Sequence, residues 1–134
     1  MRVFLGGTCT GWAWRDELQP LLKCDYYNPV VEDWTEEDRL RELHEREVDD
    51  FMLYCITNDL AGVYSIAEAL DDSNKRPEKT LFLDLYKEDG TTRSKQMKKS
   101  LVATARLLEY NGARVFNSLE EVAEFLNSKA EELK

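Results

Sequence analysis

Residues 51–57 read FMLYCIT, an uninterrupted apolar run of strand length, and this run decides the fold. A strand that is apolar on both faces is typical of the centre of a parallel sheet with helices on both sides. The run therefore predicts a buried central strand. The elements before and after it are expected to supply the other strands and the covering helices.

Strand and helix patterns alternate on both sides of this run. Short apolar segments predict further strands at 2–5, 26–27, 80–85 and 114–116. Helical spacing predicts helices at 12–23, 35–48, 64–70, 95–110 and 119–133. Such alternation predicts one α/β domain over residues 1–134, a three-layer sandwich with an approximately five-stranded parallel sheet and helices on both faces.

Two of the predicted helices carry specific expectations. The second, 35–48, begins at a Thr35 and Asp38 capping pattern and is so rich in charge that it is expected to be exposed. The helix from 64 is expected to end before Asp71 and Asp72. The partly basic stretch 93–99, RSKQMKK, is interpreted as a solvated helix face.

Composition excludes several classes of partner. The 134 residues carry a formal net charge of -9, which disfavours binding to nucleic-acid phosphates. No segment approaches the roughly 20 apolar residues that span a bilayer, and the N-terminus lacks a signal-peptide pattern. The sequence thus predicts a cytoplasmic protein without a nucleic-acid or membrane partner.

The cysteines and the single histidine narrow the chemistry further. Cys9, Cys24 and Cys55 are odd in number and lack metal-binding spacing, so neither a disulfide framework nor a metal site is predicted. His44 lies among charged residues of the second helix and is interpreted as solvated, which disfavours Ser-His and Cys-His schemes. No cofactor is expected.

Candidate functional residues follow the predicted strands, because open α/β sheets bind ligands at the carboxyl ends of their strands. The loop after the first strand contains Gly6, Gly7 and Thr8, and the two glycines are expected to let a ligand approach the backbone. This loop lacks the dinucleotide and P-loop patterns.

The second loop, NPVVEDW, brings Asn28, Asp33 and Trp34 together. An aromatic ring beside a carboxylate and an amide could stack on a base and bond its edge, or could anchor the loop, and both interpretations stay open. The third segment, GVYSIAE, places Glu68 in the first turns of a helix, where the helix dipole favours an ionised, accessible carboxylate that can act as a nucleophile. The alternative is a glutamate that decorates a helix surface.

Four stretches resemble the nucleoside 2-deoxyribosyltransferase-like family. They are VFLGGTC, WRDELQPLL, YYNPVVEDW and ITNDLAGVYSIAEA, and the resemblance covers residues 2–85. It implies a flavodoxin-like fold, a homo-oligomer, and cleavage of the N-glycosidic bond of a nucleoside or nucleotide. In that family a glutamate after the third strand forms a glycosyl-enzyme, and by position this residue is Glu68.

The resemblance also implies roles for the neighbouring residues. Gly6, Gly7, Thr8, Asn28 and Asp33 match loops that contact sugar and base, and Gly62, Tyr64 and Ser65 lie beside the nucleophile. Enzymes of the family carry an aspartate where this chain has Gly62. The proton donor for the leaving base is therefore assigned to Asp59, the nearest acidic residue upstream, with Asp33 as the next candidate.

Three functions are consistent with these patterns. The first is an N-glycosidase or deoxyribosyltransferase with Glu68 as nucleophile, in which Glu68→Ala is expected to leave thermal stability nearly unaltered. The second is an inactive nucleotide-binding or sensing module of the same fold, which the glycine at position 62 favours. The third is an interaction protein whose acidic surface contacts a basic partner.

Overall fold

A computed structural model describes residues 1–60, 62–90 and 92–134 of the chain. Its sheet contains five parallel strands in the order β2-β1-β3-β4-β5. The strands are β1 (Arg2–Gly7), β2 (Asp25–Tyr27), β3 (Phe51–Ile56), β4 (Thr80–Asp84) and β5 (Arg114–Phe116). This topology confirms the predicted α/β flavodoxin-like fold, with the order of strands reversing between β1 and β3.

Five helices alternate with these strands. They are α1 (Trp14–Leu18), α2 (Glu36–Val48), α3 (Tyr64–Lys75), α4 (Lys95–Tyr110) and α5 (Leu119–Glu132), with short 3₁₀ turns at Gln19–Leu21 and Pro77–Lys79. The first helix is shorter than the segment predicted at 12–23, since it ends before Pro20, which cannot continue the backbone hydrogen bonds. In the described part of the chain, no helix has the length and apolar character needed to cross a bilayer.

The central strand β3 separates two apolar cores. Its side chains alternate between the faces of the sheet, and Met52 through Ile56 are completely buried. On one face Leu53 and Cys55 pack with residues of α1 and α5. On the other face Met52 and Tyr54 pack with residues of α3 and α4. The FMLYCIT run is therefore buried on both faces, as predicted from its uninterrupted apolar character.

The prediction that α2 is simply an exposed helix is wrong for one of its faces. Thr35 and Asp38 form the predicted capping box, and His44 is exposed. However, Glu42, Glu45 and Arg46 are buried. These charged side chains turn inward because they find partners on other elements, as buried charges must.

The boundary predicted for α3 is also wrong. The helix continues past Asp71 and Asp72 to Lys75. Asp72 has no exposed surface and forms an ion pair with Arg46 of α2, with 3.1 Å between the Arg46 Nε and Asp72 Oδ2 atoms. The pair of aspartates thus joins two helices and does not end one.

The basic stretch 93–99 is not uniformly solvated. Arg93 is buried and its guanidinium lies 2.7 Å from a carboxylate oxygen of Asp84. It also donates a hydrogen bond of 2.7 Å to the carbonyl oxygen of Thr57. Arg93 therefore ties the loop before α4 to the ends of β3 and β4, which corrects its interpretation as part of a solvated face.

The three cysteines lie in different environments. All three are free, with Cys9 exposed, Cys24 partly buried and Cys55 buried. Burial raises the pKa of the Cys24 thiol, so this thiol is held in its protonated form.

Candidate functional site

A pocket of about 360 Å³ opens beside the carboxyl ends of β1 and β3, where the strand order reverses. Its walls come from the end of β1 and the loop after it, the loop before α2, one residue each of α1 and α2, and the first turns of α3 with the loop that leads into them. Open α/β sheets bind their ligands at this place.

All but two of the residues predicted for the site line this pocket. The lining includes Gly6, Gly7, Thr8, Trp34, Asp59, Gly62, Tyr64, Ser65 and Glu68. Asn28 and Asp33 are not among the described residues that line it. The Asn28 side-chain oxygen accepts a hydrogen bond of 3.0 Å from the Val30 backbone, so it closes the turn of its own loop.

Gly6 and Gly7, predicted to lie in the loop after the first strand, instead end β1, where close packing on β3 requires glycine. A Cβ atom on Gly7, whose φ is +118°, would lie 2.1 Å from the carbonyl oxygen of Cys55. A Cβ atom on Gly6 would lie 2.8 Å from the ring of Tyr54. The sequence identified the right positions, but the structure supplies a different reason for glycine there, namely strand packing as well as access for a ligand.

Thr8 and Arg15 fix the shape of the first loop. The Thr8 hydroxyl accepts a hydrogen bond of 3.0 Å from the Thr57 backbone, which ties this loop to the end of β3. The buried guanidinium of Arg15 donates to the carbonyl oxygens of Leu5 and Thr8 at 2.9 and 2.7 Å. Sequence reasoning missed Arg15, since an arginine on a short helix gives no signal that it turns inward.

Two aromatic side chains form one wall of the pocket. The rings of Trp34 and Tyr64 lie 5.6 Å apart between centroids, inclined at 58°. Each side chain is about half exposed, at 51% and 46%. The indole N–H of Trp34 donates to the Glu42 carboxylate. Trp34 therefore anchors its loop, and because its ring leaves surface exposed at the pocket, stacking on a base stays a prediction.

Glu68 lies at the bottom of the arrangement, on the first turns of α3. Its side chain is 6% exposed, and burial raises its pKa to about 7. The Arg46 guanidinium, 3.6 Å from Glu68 Oε2, opposes this rise, while the nearby carboxylates Glu42, Asp72 and Asp71 add to it. The expectation of an accessible carboxylate is thus wrong, because the Glu68 side chain is buried, and this burial also disfavours the ionised form.

The Glu68 carboxylate is also incompletely bonded. Within residues 1–60, 62–90 and 92–134, no hydrogen-bond donor is in reach of its buried Oε2 atom. A buried oxygen without a donor is costly and uncommon in folded proteins. Glu68 itself is one of the residues that line the pocket.

A second buried carboxyl group, that of Glu42, lines the same pocket. Burial raises its pKa, and the hydrogen bond from Trp34 and the charge of Arg46 oppose the rise. Sequence reasoning missed Glu42 because α2 is charged on all sides and shows no apolar stripe that would identify its inner face.

Asp59 and Gly62 occupy the remaining edge of the pocket. The Asp59 carboxylate accepts a hydrogen bond of 2.7 Å from the Thr10 hydroxyl. A Cβ atom on Gly62 would meet no heavy atom within 4 Å. The structure therefore has open space where enzymes of the resembling family carry an aspartate.

The described ranges contain no group of three or more His, Cys, Asp or Glu side chains arranged to hold a metal ion. The pocket offers two buried carboxyl groups, a guanidinium and two aromatic rings, together with further carboxylates, hydroxyls and a thiol. Comparison with protein-family models and with curated proteins finds no match to this chain.

Proposed function

We propose that the protein cleaves the N-glycosidic bond of a nucleoside or nucleotide, or transfers its deoxyribosyl group, with Glu68 as the nucleophile. One observation carries the proposal: Glu68, a buried glutamate whose Oε2 atom has no hydrogen-bond donor in the described residues, lines a pocket at the switch point of the sheet. The resemblance of residues 2–85 to nucleoside 2-deoxyribosyltransferase-like proteins supports the same assignment.

In the first step, an oxygen of the Glu68 carboxylate attacks the anomeric carbon of the sugar. The bond from this carbon to the base nitrogen breaks, and its electron pair goes to the base. A proton must reach the base as it leaves. In the second step, water or another base attacks the same carbon, the glycosyl-Glu68 bond breaks, and the carboxylate is restored.

Glu42 is the proton donor that the geometry favours. It lines the pocket, and burial raises its pKa, so a protonated fraction persists at higher pH than for an ordinary glutamate. Asp33 lies outside the lining, whereas Asp59 lines the pocket and remains the alternative donor. After base release, the Glu42 carboxylate takes the proton of the attacking water or base.

The pKa of Glu68 suits this scheme. At a pKa of about 7, roughly half of the molecules carry the ionised nucleophile at neutral pH. The rings of Trp34 and Tyr64 offer apolar surface on which a base can stack. The proposed ligand is therefore held by its base, with its sugar near the two carboxyl groups.

A second candidate is a binding or sensing module that keeps the pocket without turnover. The observation that favours it is Gly62, which leaves open space where an acidic side chain is expected. This module would bind a nucleoside or nucleotide through the aromatic wall and release no base.

Free base separates the two candidates. The purified protein is incubated with deoxynucleosides, deoxynucleotides, their ribo counterparts and NAD, and free base is measured by chromatography. We expect base release from at least one compound, and its loss in Glu68→Gln. Asp33→Asn, the same carboxylate-to-amide change outside the pocket lining, is the matched control and should retain activity. Absence of base, with a compound still raising the melting temperature, would replace the enzyme by the binding module.

A further inference from the structure

The guanidinium of Arg46 is held rigidly in the interior between α2 and α3. Its side chain is 2% exposed, and it contacts both carboxylate oxygens of Asp72, through Nε and Nη2, at 3.1 Å each. Nη2 also donates to Asp71 at 2.7 Å. Such a two-point contact fixes both the position and the plane of a guanidinium.

This clamp leaves the third nitrogen of Arg46 for Glu68. Nη1 lies 3.6 Å from Glu68 Oε2, close enough for charge attraction but outside hydrogen-bond distance. A hydrogen bond to that oxygen would take one of its lone-pair sites and lower its nucleophilicity. A nearby charge without a hydrogen bond favours the ionised form and leaves both lone-pair sites of the oxygen unoccupied.

We propose that Arg46 is a positioning residue for Glu68, whose ionised form its clamped guanidinium favours by charge without a hydrogen bond to the carboxylate. The inference rests on the proposed function of Glu68, but it concerns a residue on another element that does not line the pocket. As a consequence, the contact between α2 and α3 influences the protonation of Glu68.

Other charged groups also face Glu68 and set the background against which Arg46 acts. Nearby carboxylates make ionisation harder, whereas the pocket guanidinium has the opposite sign. The carboxylates are Glu42 on α2 and Asp71 with Asp72 on α3, and the Tyr54 hydroxyl on β3 is bonded to Asp72. The pocket guanidinium is that of Arg15 on α1. Removing a positive charge should therefore raise the pH at the midpoint of the Glu68 titration, and removing a negative charge should lower it.

The test is a direct titration of Glu68 that needs no catalysis. Protein labelled with ¹³C at the glutamate side-chain carboxyl is titrated by NMR, and the Glu68 signal is assigned from its absence in Glu68→Gln. In Arg46→Gln we expect the Glu68 midpoint to rise by at least about one pH unit. In Asp71→Asn, which removes a 40% exposed carboxylate, we expect a smaller movement to lower pH.

Arg41→Gln is the matched control, because Arg41 belongs to the same helix but is 56% exposed and pairs with Asp38. It should leave the Glu68 midpoint in place. If Arg46→Gln fails to fold, Asp71→Asn still tests the coupling, since its movement has the opposite sign. A Glu68 midpoint that stays fixed in every folded variant overturns the inference.

Base release by the same variants separates this inference from the proposed function. If Glu68 reacts as a nucleophile, the acidic limb of the rate profile should follow the NMR midpoint in each variant. Midpoints that move in a protein that releases no base support the role of Arg46 and contradict the enzyme. Base release with an unmoved midpoint keeps the enzyme and overturns the role of Arg46.

Discussion

Glu68 and Asp72 lie one turn apart on the same face of α3, and both approach Arg46, yet their surroundings differ completely. Asp72 is fully buried and accepts hydrogen bonds from Arg46, Arg76 and Tyr54. Glu68 is almost as buried, but its Oε2 atom has no donor in the described part of the chain. One helix thus carries a carboxylate whose hydrogen bonds are complete and, beside the pocket, one whose hydrogen bonds within the described residues are not.

The largest effect should come from replacing Asp72, the carboxylate whose hydrogen bonds are complete. Asp72→Asn removes the charge that balances Arg46 and Arg76, and leaving a buried charge without its partner costs about 3 to 5 kcal/mol. We therefore expect a loss of this size in the free energy of unfolding, measured by denaturant titration. Asp71→Asn is the matched control because Asp71 is partly exposed, and it should cost about 1 kcal/mol or less. Equal losses in the two variants would contradict a special structural role for Asp72.

Replacing Glu68, whose Oε2 atom lacks a donor, should instead increase the free energy of unfolding at alkaline pH. The folded pKa of Glu68, about 7, lies above its ordinary value of 4.5, so its contribution to stability is complete below about pH 4.5 and is lost as the pH rises through 7. Glu68→Gln cannot ionise and should escape this loss. We expect it to be more stable than the wild type by up to about 3 kcal/mol near pH 8 and similar near pH 4.

This expectation replaces the simpler one, that a change at Glu68 leaves stability unaltered. Unfolding curves collected across this pH range measure the difference. If the free energy of unfolding differs between Glu68→Gln and the wild type by the same amount at every pH, the carboxyl group titrates alike in the folded and unfolded states. Its burial would then not destabilise the fold.

The smallest effect on stability is expected at Gly62. A side chain at this position meets open space, so Gly62→Asp should change the free energy of unfolding by no more than about 0.5 kcal/mol. If the pocket is an enzyme limited by proton donation, the added carboxyl group should increase base release. Gly62→Asn is the control of similar shape that cannot supply a proton in this way. Similar rates in the two variants would assign the limitation to another step.

The difference between Glu68 and Asp72 also shows which features of the molecule the sequence could predict. Apolar runs such as FMLYCIT predicted the sheet because burial on both faces leaves a simple pattern in the sequence. The loop after β1 and the residues around Glu68 were found because the ends of parallel strands meet at one edge. These features depend on local sequence or on topology alone.

The inward-facing charges could not be found in this way. Arg46 and Asp72 are 26 residues apart, and α2 has charged residues on its inner and outer faces. A pattern of this kind looks like a solvated helix until the partner element is in place. For the same reason the sequence missed Glu42 and placed the end of α3 before Asp71.

The most direct measurement is the intact mass of the protein after rapid mixing with each nucleoside or nucleotide and acid quenching. We expect a mass increase equal to that of the glycosyl group of a reactive compound, with its phosphate where it has one. The added mass should lie on the peptide that contains Glu68 and be missing in Glu68→Gln. Free base formed without any adduct, at full rate in Glu68→Gln, would contradict Glu68 as the nucleophile. Neither base nor adduct, with a ligand still stabilising the fold, would contradict the enzyme itself.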